Sequence, residues 1–316
     1  VTLPEKFETV GTCAFCSADK LATIDLGGTI SLGGSAFEST SAKNGVNFRP
    51  ELGRLTTIGD FAFSRTARSS VSLPDSVTTV GEQAFSESTA LTSFHIGAGV
   101  TSFAETALYN DRKIATLTVS ADNPVYSAEH NVLYRKADDG LHLMLSPAAN
   151  TLTDYTVRAG TVEIGATAFA NNKTLTRVVL PEGLKVIGDD AFAGTTALTE
   201  LVIPESVERS SGVTGNSLEL VEYGSKVTSI RMEGSWVPMP RRIVVRGGVD
   251  GSFVYDGRPT NGRRHSAYFG EGMTRVSFGV DVPRVLVLPS TLTRLDLEPE
   301  LSDEKKDDTH VYFAAA

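Results

Sequence analysis

The two cysteines of the chain are the first residues whose type and spacing could carry chemistry. Cys13 and Cys16 are the only cysteines among 316 residues, and they form a Cys-x-x-Cys sequence. Such a pair exchanges disulfides in a thioredoxin-like strand and helix context, and it binds zinc when a second ligand pair completes the site. The sequence provides neither context. We therefore expect a buried structural pair of thiols, and two cysteines are too few for a scaffold that depends on disulfides.

The histidines and carboxylates do not have the spacing of a catalytic or metal site. No two histidines stand four positions apart, as metal ligands on one helix face would. The five histidines are His95, His130, His142, His265 and His310. Adjacent aspartates occur at 138–139 and 189–190, at predicted turns, where Asp usually bonds the local backbone. A glycosidase needs two carboxylates that face each other across a cleft. The sequence therefore predicts no catalytic residue, no cofactor and no metal.

Charge is unevenly distributed along the chain. The net charge of −9 argues against general affinity for nucleic acid, and no apolar run approaches the roughly 20 residues that span a bilayer. Residues 231–294, however, contain ten arginines, no lysine and five acidic residues. This stretch could dock an anionic glycan or an acidic protein, or its arginines could be dispersed over loops and neutralised by the acidic tail. The candidate basic patch consists of Arg241, Arg242, Arg246, Arg263 and Arg264.

A short sequence pattern recurs along the chain and must position whatever the protein displays. The pattern is Ile/Val-Gly-x-x-Ala-Phe, and an alternating apolar strand such as Leu91-Thr-Ser-Phe-His-Ile96 follows it. It occurs at 10–15, 58–63, 80–85, 164–169 and 187–192, with a variant at 32–37. We interpret Gly as the residue that permits a tight bend, Ala as allowing close approach and Phe as the interior filler. One such unit cannot bury its own apolar face, whereas stacked units can.

The repeat resembles the BspA-like leucine-rich repeat family, whose consensus places Ile-Gly-x-x-Ala-Phe after a Leu-x-x-(Ile/Val)-x-(Ile/Leu)-Pro strand. The resemblance implies a mostly β, right-handed leucine-rich-repeat solenoid with repeats of about 22–23 residues, within the usual range for such repeats. It also places Cys16 in the family's small-residue slot after Phe.

The regularity of the repeat predicts how the chain is organised. We expect one solenoid over residues 1–297, followed by an acidic tail or linker and the start of a further strand at 298–316. Within the solenoid we predict regular repeats at 1–120 and 155–207, a hairpin island at 121–156 and degenerate repeats at 208–297. The island contains Lys136-Ala-Asp-Asp-Gly140 between alternating apolar runs, which is a hairpin signal. Further strands are predicted at 46–48, 217–221, 227–230 and 243–245.

The outward positions of the strands form the candidate contact surface. Side chains alternate along a strand, so the inward residues of the repeat determine which residues point outward. The first units present a small, polar ladder, and the later ones present apolar side chains beside Arg177. Exposed apolar residues in a row point to a contact site, although they could instead satisfy β propensity or lie under a loop. The candidate binding face consists of Ser93, His95, Thr116, Thr118, Arg177, Val179, Glu200, Val202 and Leu220.

The resemblance implies a non-enzymatic, adhesin-like binding protein of a bacterial cell surface that recognises host or microbial proteins or glycans. It implies an extracellular or surface-attached location, with the signal peptide and anchor outside this chain. Two alternatives stay open. The chain could be a structural spacer that displays another module, or it could be an accessory domain of a surface carbohydrate-active enzyme.

Overall fold

A computed structural model of the protein describes residues 1–41, 49–51, 54–211, 213, 217–234, 240–248, 250–257, 265–279, 283–297 and 310–313. The chain forms two compact units. The first comprises Val1–Asp138 and Met144–Asn150, and the second comprises Asp139–Leu143 and Thr151–Ala316. Every regular element in the described residues is a β-strand.

The first unit stacks short parallel strands into two series. Its strands are β1 (Thr9–Val10), β2 (Thr23–Asp25), β3 (Ser31–Leu32), β4 (Arg49–Glu51), β5 (Thr57–Ile58), β6 (Ser70–Ser72), β7 (Thr79–Val80), β8 (Ser93–Ile96), β9 (Ser102–Phe103), β10 (Thr116–Val119), β11 (Tyr126–Glu129) and β12 (Val132–Ala137). One series runs β1-β3-β5-β7-β9, and on the other side of each coil β2 pairs with β4 and β8 lies between β6 and β10. Each strand therefore pairs with the equivalent strand of the next repeat, as in a solenoid.

The second unit repeats the same arrangement with longer strands. Its strands are β13 (Gly140–Leu145, of which the first four residues belong to this unit), β14 (Asp154–Thr156), β15 (Thr161–Ile164), β16 (Arg177–Val179), β17 (Val186–Ile187), β18 (Glu200–Val202), β19 (Arg209–Ser210), β20 (Leu220–Tyr223), β21 (Ser229–Gly234), β22 (Arg242–Val245), β23 (Gly251–Gly257), β24 (Ser266–Phe269), β25 (Met273–Phe278), β26 (Val285–Leu288), β27 (Arg294–Leu297) and β28 (His310–Phe313). The odd-numbered strands β13 to β27 form one parallel series. On the other side of the coils, β14 pairs with β16, and β18-β20-β22-β24-β26-β28 form a six-stranded parallel sheet.

The predicted mostly β solenoid is confirmed, and so is the inserted hairpin. Strands β11 and β12 are antiparallel, with Tyr126 opposite Arg135. Their turn consists of His130 and Asn131, both with positive φ (51° and 66°), as a tight hairpin turn requires. A turn is also present within the predicted Lys136–Gly140 segment, but it consists of Asp138 and Asp139, and Gly140 already belongs to β13, which the turn connects to β12.

The glycine-rich region after residue 208 contains more strands than the sequence predicts. The predicted strands overlap β20, β21 and β22, but β19, β23 and β24 were not predicted. These segments lack the leading Leu of the repeat, and β23 begins and ends with Gly, which is uncommon in strands. Pairing with neighbouring strands stabilises these segments, whose own strand propensity is low. The strand predicted at 46–48 lies outside the described residues.

Stacked phenylalanines fill the interior. The rings of Phe15, Phe37, Phe63 and Phe85 follow one another with centroids 5.2, 5.4 and 5.3 Å apart and nearly parallel planes. Phe37, Phe63 and Phe85 are at most 1% exposed. The spacing of the repeat therefore places the same large side chain at the same depth in consecutive coils.

The interpretation of the repeat glycine as the bend-forming residue is wrong. A Cβ at Gly33 would lie 2.8 Å from the Thr12 amide nitrogen, and one at Gly59 would lie 2.7 Å from the Leu32 oxygen. Glycine is thus required because the preceding coil approaches closely. Gly11, in the first coil, has nothing within 4 Å of such a Cβ. The left-handed backbone of the turn instead falls on the residue before Ala, with φ between 51° and 57°, at Cys13, Ser35, Phe61, Gln83, Thr167 and Asp190.

A buried polar side chain follows the repeat phenylalanine by three positions. The Thr66 hydroxyl donates to the Phe63 carbonyl at 2.9 Å, and the Thr195 hydroxyl donates to the Phe192 carbonyl at 2.7 Å. These bonds satisfy carbonyl groups that the turn leaves inside the coil. The slot is therefore polar although it is surrounded by core.

In the coil where Leu108 replaces the repeat phenylalanine, Asp111 occupies this slot with a carboxyl group. It is 6% exposed, and its Oδ1 accepts a hydrogen bond from the Ser88 amide at 2.7 Å. Its Oδ2 is buried and has no hydrogen-bond partner among the described residues. Burial raises the pKa of this carboxyl to about 8, against the opposing effect of the Ser88 hydrogen bond, and the negative charge of Glu87 adds to the increase.

We predict that Phe63→Ala lowers the free energy of unfolding by about 3–5 kcal/mol, because it removes a stacked ring between two others. Phe61→Ala is the matched control, since Phe61 lies in the same turn but is 36% exposed. Its effect should stay near ~0.5 kcal/mol. Urea unfolding followed by circular dichroism measures both, and equal losses would contradict the stacking argument.

We also predict that Asp111 makes the fold less stable as the pH rises. Its folded pKa lies above that of the unfolded chain, so its favourable contribution is complete below about pH 4 and disappears as the pH passes through about 8. The change amounts to roughly 1 kcal/mol per pH unit within this window. Urea midpoints between pH 4.5 and 9 should fall less steeply for Asp111→Asn than for the wild type, and parallel slopes would refute the assignment.

Candidate binding surface

The outward face of the first unit is a ladder of small polar side chains. Registered pairing places Ser70, Ser93 and Thr116 in one row and Ser72, His95 and Thr118 in the next. His95 Nδ1 lies 2.9 Å from the Thr118 hydroxyl, so the imidazole is hydrogen-bonded to the next residue of its own row. This part of the candidate face is polar and offers no apolar anchor.

The second unit presents apolar side chains on the equivalent face. In β16 and β18 the burial alternates, with Val178 and Leu201 inside. Val179 and Val202 point outward and are 37% and 60% exposed. Arg177 shares this face, two residues before Val179 on the same strand.

A continuous row extends from Val202 across the six-stranded sheet. Register pairs Val202 with Glu222, Glu222 with Val244, Val244 with Tyr268, Tyr268 with Val287, and Val287 with Tyr312. The carboxylate Glu222 interrupts the row, and we call its other five members, which are aliphatic or aromatic, the apolar row. Tyr312 is 54% exposed, while the three residues between Glu222 and Tyr312 are half-buried. Sequence reasoning missed the last four members, because β24 was not predicted and the alternation of β22, β26 and β28 was not extended into register with it.

The predicted basic patch separates into two environments. Arg246 Nε lies 3.0 Å from Glu222 Oε1, and its NH1 lies 3.4 Å from Glu205 Oε1. These carboxylates raise the pKa of the Arg246 guanidinium and neutralise its charge locally. The Ser225 hydroxyl and amide hydrogen bonds, ahead of Arg246 itself, lower the pKa of Glu205. Arg246 is therefore part of an ion-pair network.

Arg241 and Arg242 lie in a different place, at the rim of a shallow concavity of about 360 Å³. Arg241 NH1 is 3.3 Å from Glu219 Oε2, and the Arg242 guanidinium carbon lies 5.0 Å from the centre of the Tyr268 ring. The concavity is lined by Glu219, Arg241, Arg242, His265, Ser266, Arg284 and Val285. His265 and Arg284, which sequence reasoning did not select, join the two arginines. Arg263 and Arg264 lie outside the described residues.

Comparison with known proteins identifies the family of this repeat. The sequence matches the BspA type leucine rich repeat region in six copies, over residues 1–115, 56–135 and 148–233. The chain belongs to this family. A search of the curated proteins found no match.

Solved structures of bacterial leucine-rich repeat proteins share the fold. A leucine-rich repeat protein from Eubacterium ventriosum has a TM-score of 0.64 and 19% identity, covering 96% of this chain and 85% of that one. The pneumococcal vaccine antigen PcpA gives 0.67 and 18%, covering 93% and 79%. A leucine rich cell surface protein from Faecalibacterium prausnitzii gives 0.57 and 18%, covering 98% and 81%. At these identities the likeness concerns the fold alone.

Two groups of titratable side chains lie elsewhere on the BspA-type coils of the second unit. His142 contacts Asp139 at 2.9 Å and Glu163 at 3.3 Å, where β13 pairs with β15. Asp189 and Asp190 line another concavity of about 360 Å³ with Ser211 and Arg231, and burial, followed by the charge of Asp189, raises the pKa of Asp190. Within the described part of the chain, no group of three or more His, Cys, Asp or Glu side chains is arranged to hold a metal ion.

The expectation of a buried thiol pair is wrong. Cys13 and Cys16 form a disulfide, with Cα atoms 4.7 Å apart, a separation within the range that a disulfide requires. Cys13 is exposed and Cys16 is half-buried. Both lie in the turn that contains Val10-Gly-Thr-Cys-Ala-Phe15.

We predict that neither cysteine reacts with a maleimide until a reductant is added, after which Cys13 reacts first because it is exposed. In Cys16→Ser the single remaining thiol should react without reductant. Mass spectrometry of the labelled chain provides the measurement. Rapid modification of both cysteines in the untreated protein would instead support the thiol pair.

Proposed function

We propose that this BspA-type repeat protein is a non-enzymatic binding protein, cell-surface attached or secreted, that captures a host or microbial protein or glycan. Its contact surface is the outward strand face, on which the predicted residues Arg177, Val179, Glu200, Val202 and Leu220 lie. The observation that carries the proposal is the apolar row. Val202 and Tyr312 are 60% and 54% exposed at its ends, and exposed apolar rows of this kind mark contact sites.

The proposed mechanism is summed contact along the registered strands. A parallel sheet places equivalent side chains at intervals of about 4.8 Å, so a ligand that spans several coils meets several anchors at once. The stacked coils keep these anchors in place, and a ligand therefore loses little free energy to reorganisation of the surface. Replacing one anchor should weaken binding less than replacing several.

The proposed extracellular or surface location has independent support. A disulfide is typical of oxidising compartments, and Cys13 and Cys16 form one. Among the similar structures, one is described as a leucine rich cell surface protein and another as a vaccine antigen. Apart from these two observations, and without bearing on location, the described residues contain no helix that is long and apolar enough to cross a membrane.

We predict that the combined variant Arg177→Ala, Val179→Ser, Val202→Ser weakens capture by immobilised laminin or mucin at least about tenfold, because it removes a charged contact and two apolar anchors. Surface plasmon resonance of the full chain measures the change. Circular dichroism and thermal melting should match the wild type, since all three side chains point outward.

The control combines Arg209→Ala, Val186→Ser and Val254→Ser, which make the same chemical changes on the other strand series of this unit. Its affinity should remain within about twofold of the wild type. If both variants bind equally well, the face is wrongly assigned. If the wild type itself binds none of a broad panel of matrix proteins and glycans, the chain acts as a spacer.

A further inference from the structure

The arginine-lined concavity is built from equivalent positions of consecutive coils. Arg241, His265 and Arg284 immediately precede β22, β24 and β26. The Ser266 amide donates to the Arg241 carbonyl and the Arg284 amide to the His265 carbonyl, both at 3.0 Å. Backbone hydrogen bonds therefore hold these three positions in register, so the Cα atoms that carry the side chains have fixed relative positions.

Two of the side chains in the concavity are oriented by neighbours. Arg242 lies over Tyr268 at 5.0 Å, a cation–π arrangement that limits the freedom of the guanidinium. His265 is buried, and its Nδ1 donates to the Pro240 carbonyl at 3.1 Å. The wall of the concavity is thus partly preorganised before a ligand arrives.

One carboxylate already contacts this cluster. Glu219 touches Arg241 through a single atom pair at 3.3 Å, with side chains 47% and 65% exposed. An exposed pair of this kind contributes little stability and can be exchanged for another partner. The contact shows that a carboxylate reaches the guanidinium of Arg241 from within the concavity.

The geometry restricts the class of ligand. Strand pairing on both sides of β22, β24 and β26 uses their backbone groups, so an extended peptide cannot bind here by adding a strand. Recognition must come from side chains, and guanidinium groups favour carboxylates in a planar, two-pronged contact. Arg241 and Arg284 start from strands two spacings apart, which is about 10 Å.

We propose that this concavity binds a linear polysaccharide that carries a carboxylate on every second sugar. Successive carboxylates contact Arg241 and Arg284, while Arg242 contacts the chain between them. The site does not include Arg177, Val179 or Val202, although it adjoins the apolar row, because Arg242 lies over Tyr268. Separate variants of the two sets of residues therefore test the two proposals.

Isothermal titration of the full chain with hyaluronan oligosaccharides tests the proposal, since their carboxylates have this spacing and they carry no sulfate. We expect saturable binding that weakens with added salt. The combined variant Arg241→Gln, Arg242→Gln, Arg284→Gln should lose affinity at least about tenfold. The matched variant Arg112→Gln, Arg209→Gln, Arg275→Gln removes three charges elsewhere and should stay within about twofold.

The effect of Glu219→Gln has a definite sign. Because Glu219 competes with the ligand for Arg241, its neutralisation should strengthen binding of hyaluronan about two- to fivefold. A weaker or unchanged affinity would overturn the placement of the carboxylate. The variant at Arg177, Val179 and Val202 should bind hyaluronan like the wild type, which separates failure of this site from failure of the other surface.

Three results would refute the ligand class. Absence of hyaluronan binding refutes it directly. Equal losses in the two arginine variants would show non-specific attraction to charge. Binding of poly-glutamate at least as tight as that of hyaluronan would assign the site to an acidic protein segment. Neutral chitin oligosaccharides should not bind, because they lack the carboxylates.

Discussion

The close approach of one coil to the next is the constraint on which the rest of the structure depends. No coil can bury its own apolar side, and the stack of Phe15, Phe37, Phe63 and Phe85 exists only because neighbouring coils meet at about the separation of paired strands. Glycine in Ile/Val-Gly-x-x-Ala-Phe removes the one atom that would prevent this approach. The unfavourable left-handed backbone conformation of the turn is instead adopted by residues that are not glycine, among them Phe61 and Gln83. Inter-coil packing therefore determines the composition of the turn.

The same constraint creates the candidate sites. Register between neighbouring strands aligns side chains that are about twenty residues apart in sequence, and so the apolar row crosses six strands. It also places Arg241, Arg242 and Arg284 around one concavity, although the chain separates them by up to 43 positions (284 − 241). The contrast with Arg246 shows that the neighbours of an arginine determine whether its guanidinium group can contact a ligand. Two carboxylates engage Arg246, whereas Arg242 lies against an aromatic ring.

The slot three positions after the repeat phenylalanine shows what a repeat tolerates. It needs a side chain that bonds the turn from inside the coil, and Thr66 and Thr195 meet this need with a hydroxyl. Asp111 meets it with one oxygen and leaves the other buried. A site with these partners accepts the neutral carboxyl more readily than the carboxylate, which is the physical origin of its raised pKa. The turn that contains Cys13 and Cys16 departs differently, because a disulfide joins these two residues.

The sequence by itself determined the repeat, the mostly β fold, the inserted hairpin and the outward direction of Val179 and Val202, since each follows from local spacing and from the alternation of side chains along a strand. Tertiary structure alone decided the role of the glycine, the disulfide between Cys13 and Cys16, and the strands β23 and β24. It also decided which arginines share a concavity. The physical reason is the same in each case. These features depend on contacts between coils, and in the glycine-rich region after residue 208 the repeat lengths vary, so register there follows from pairing in space.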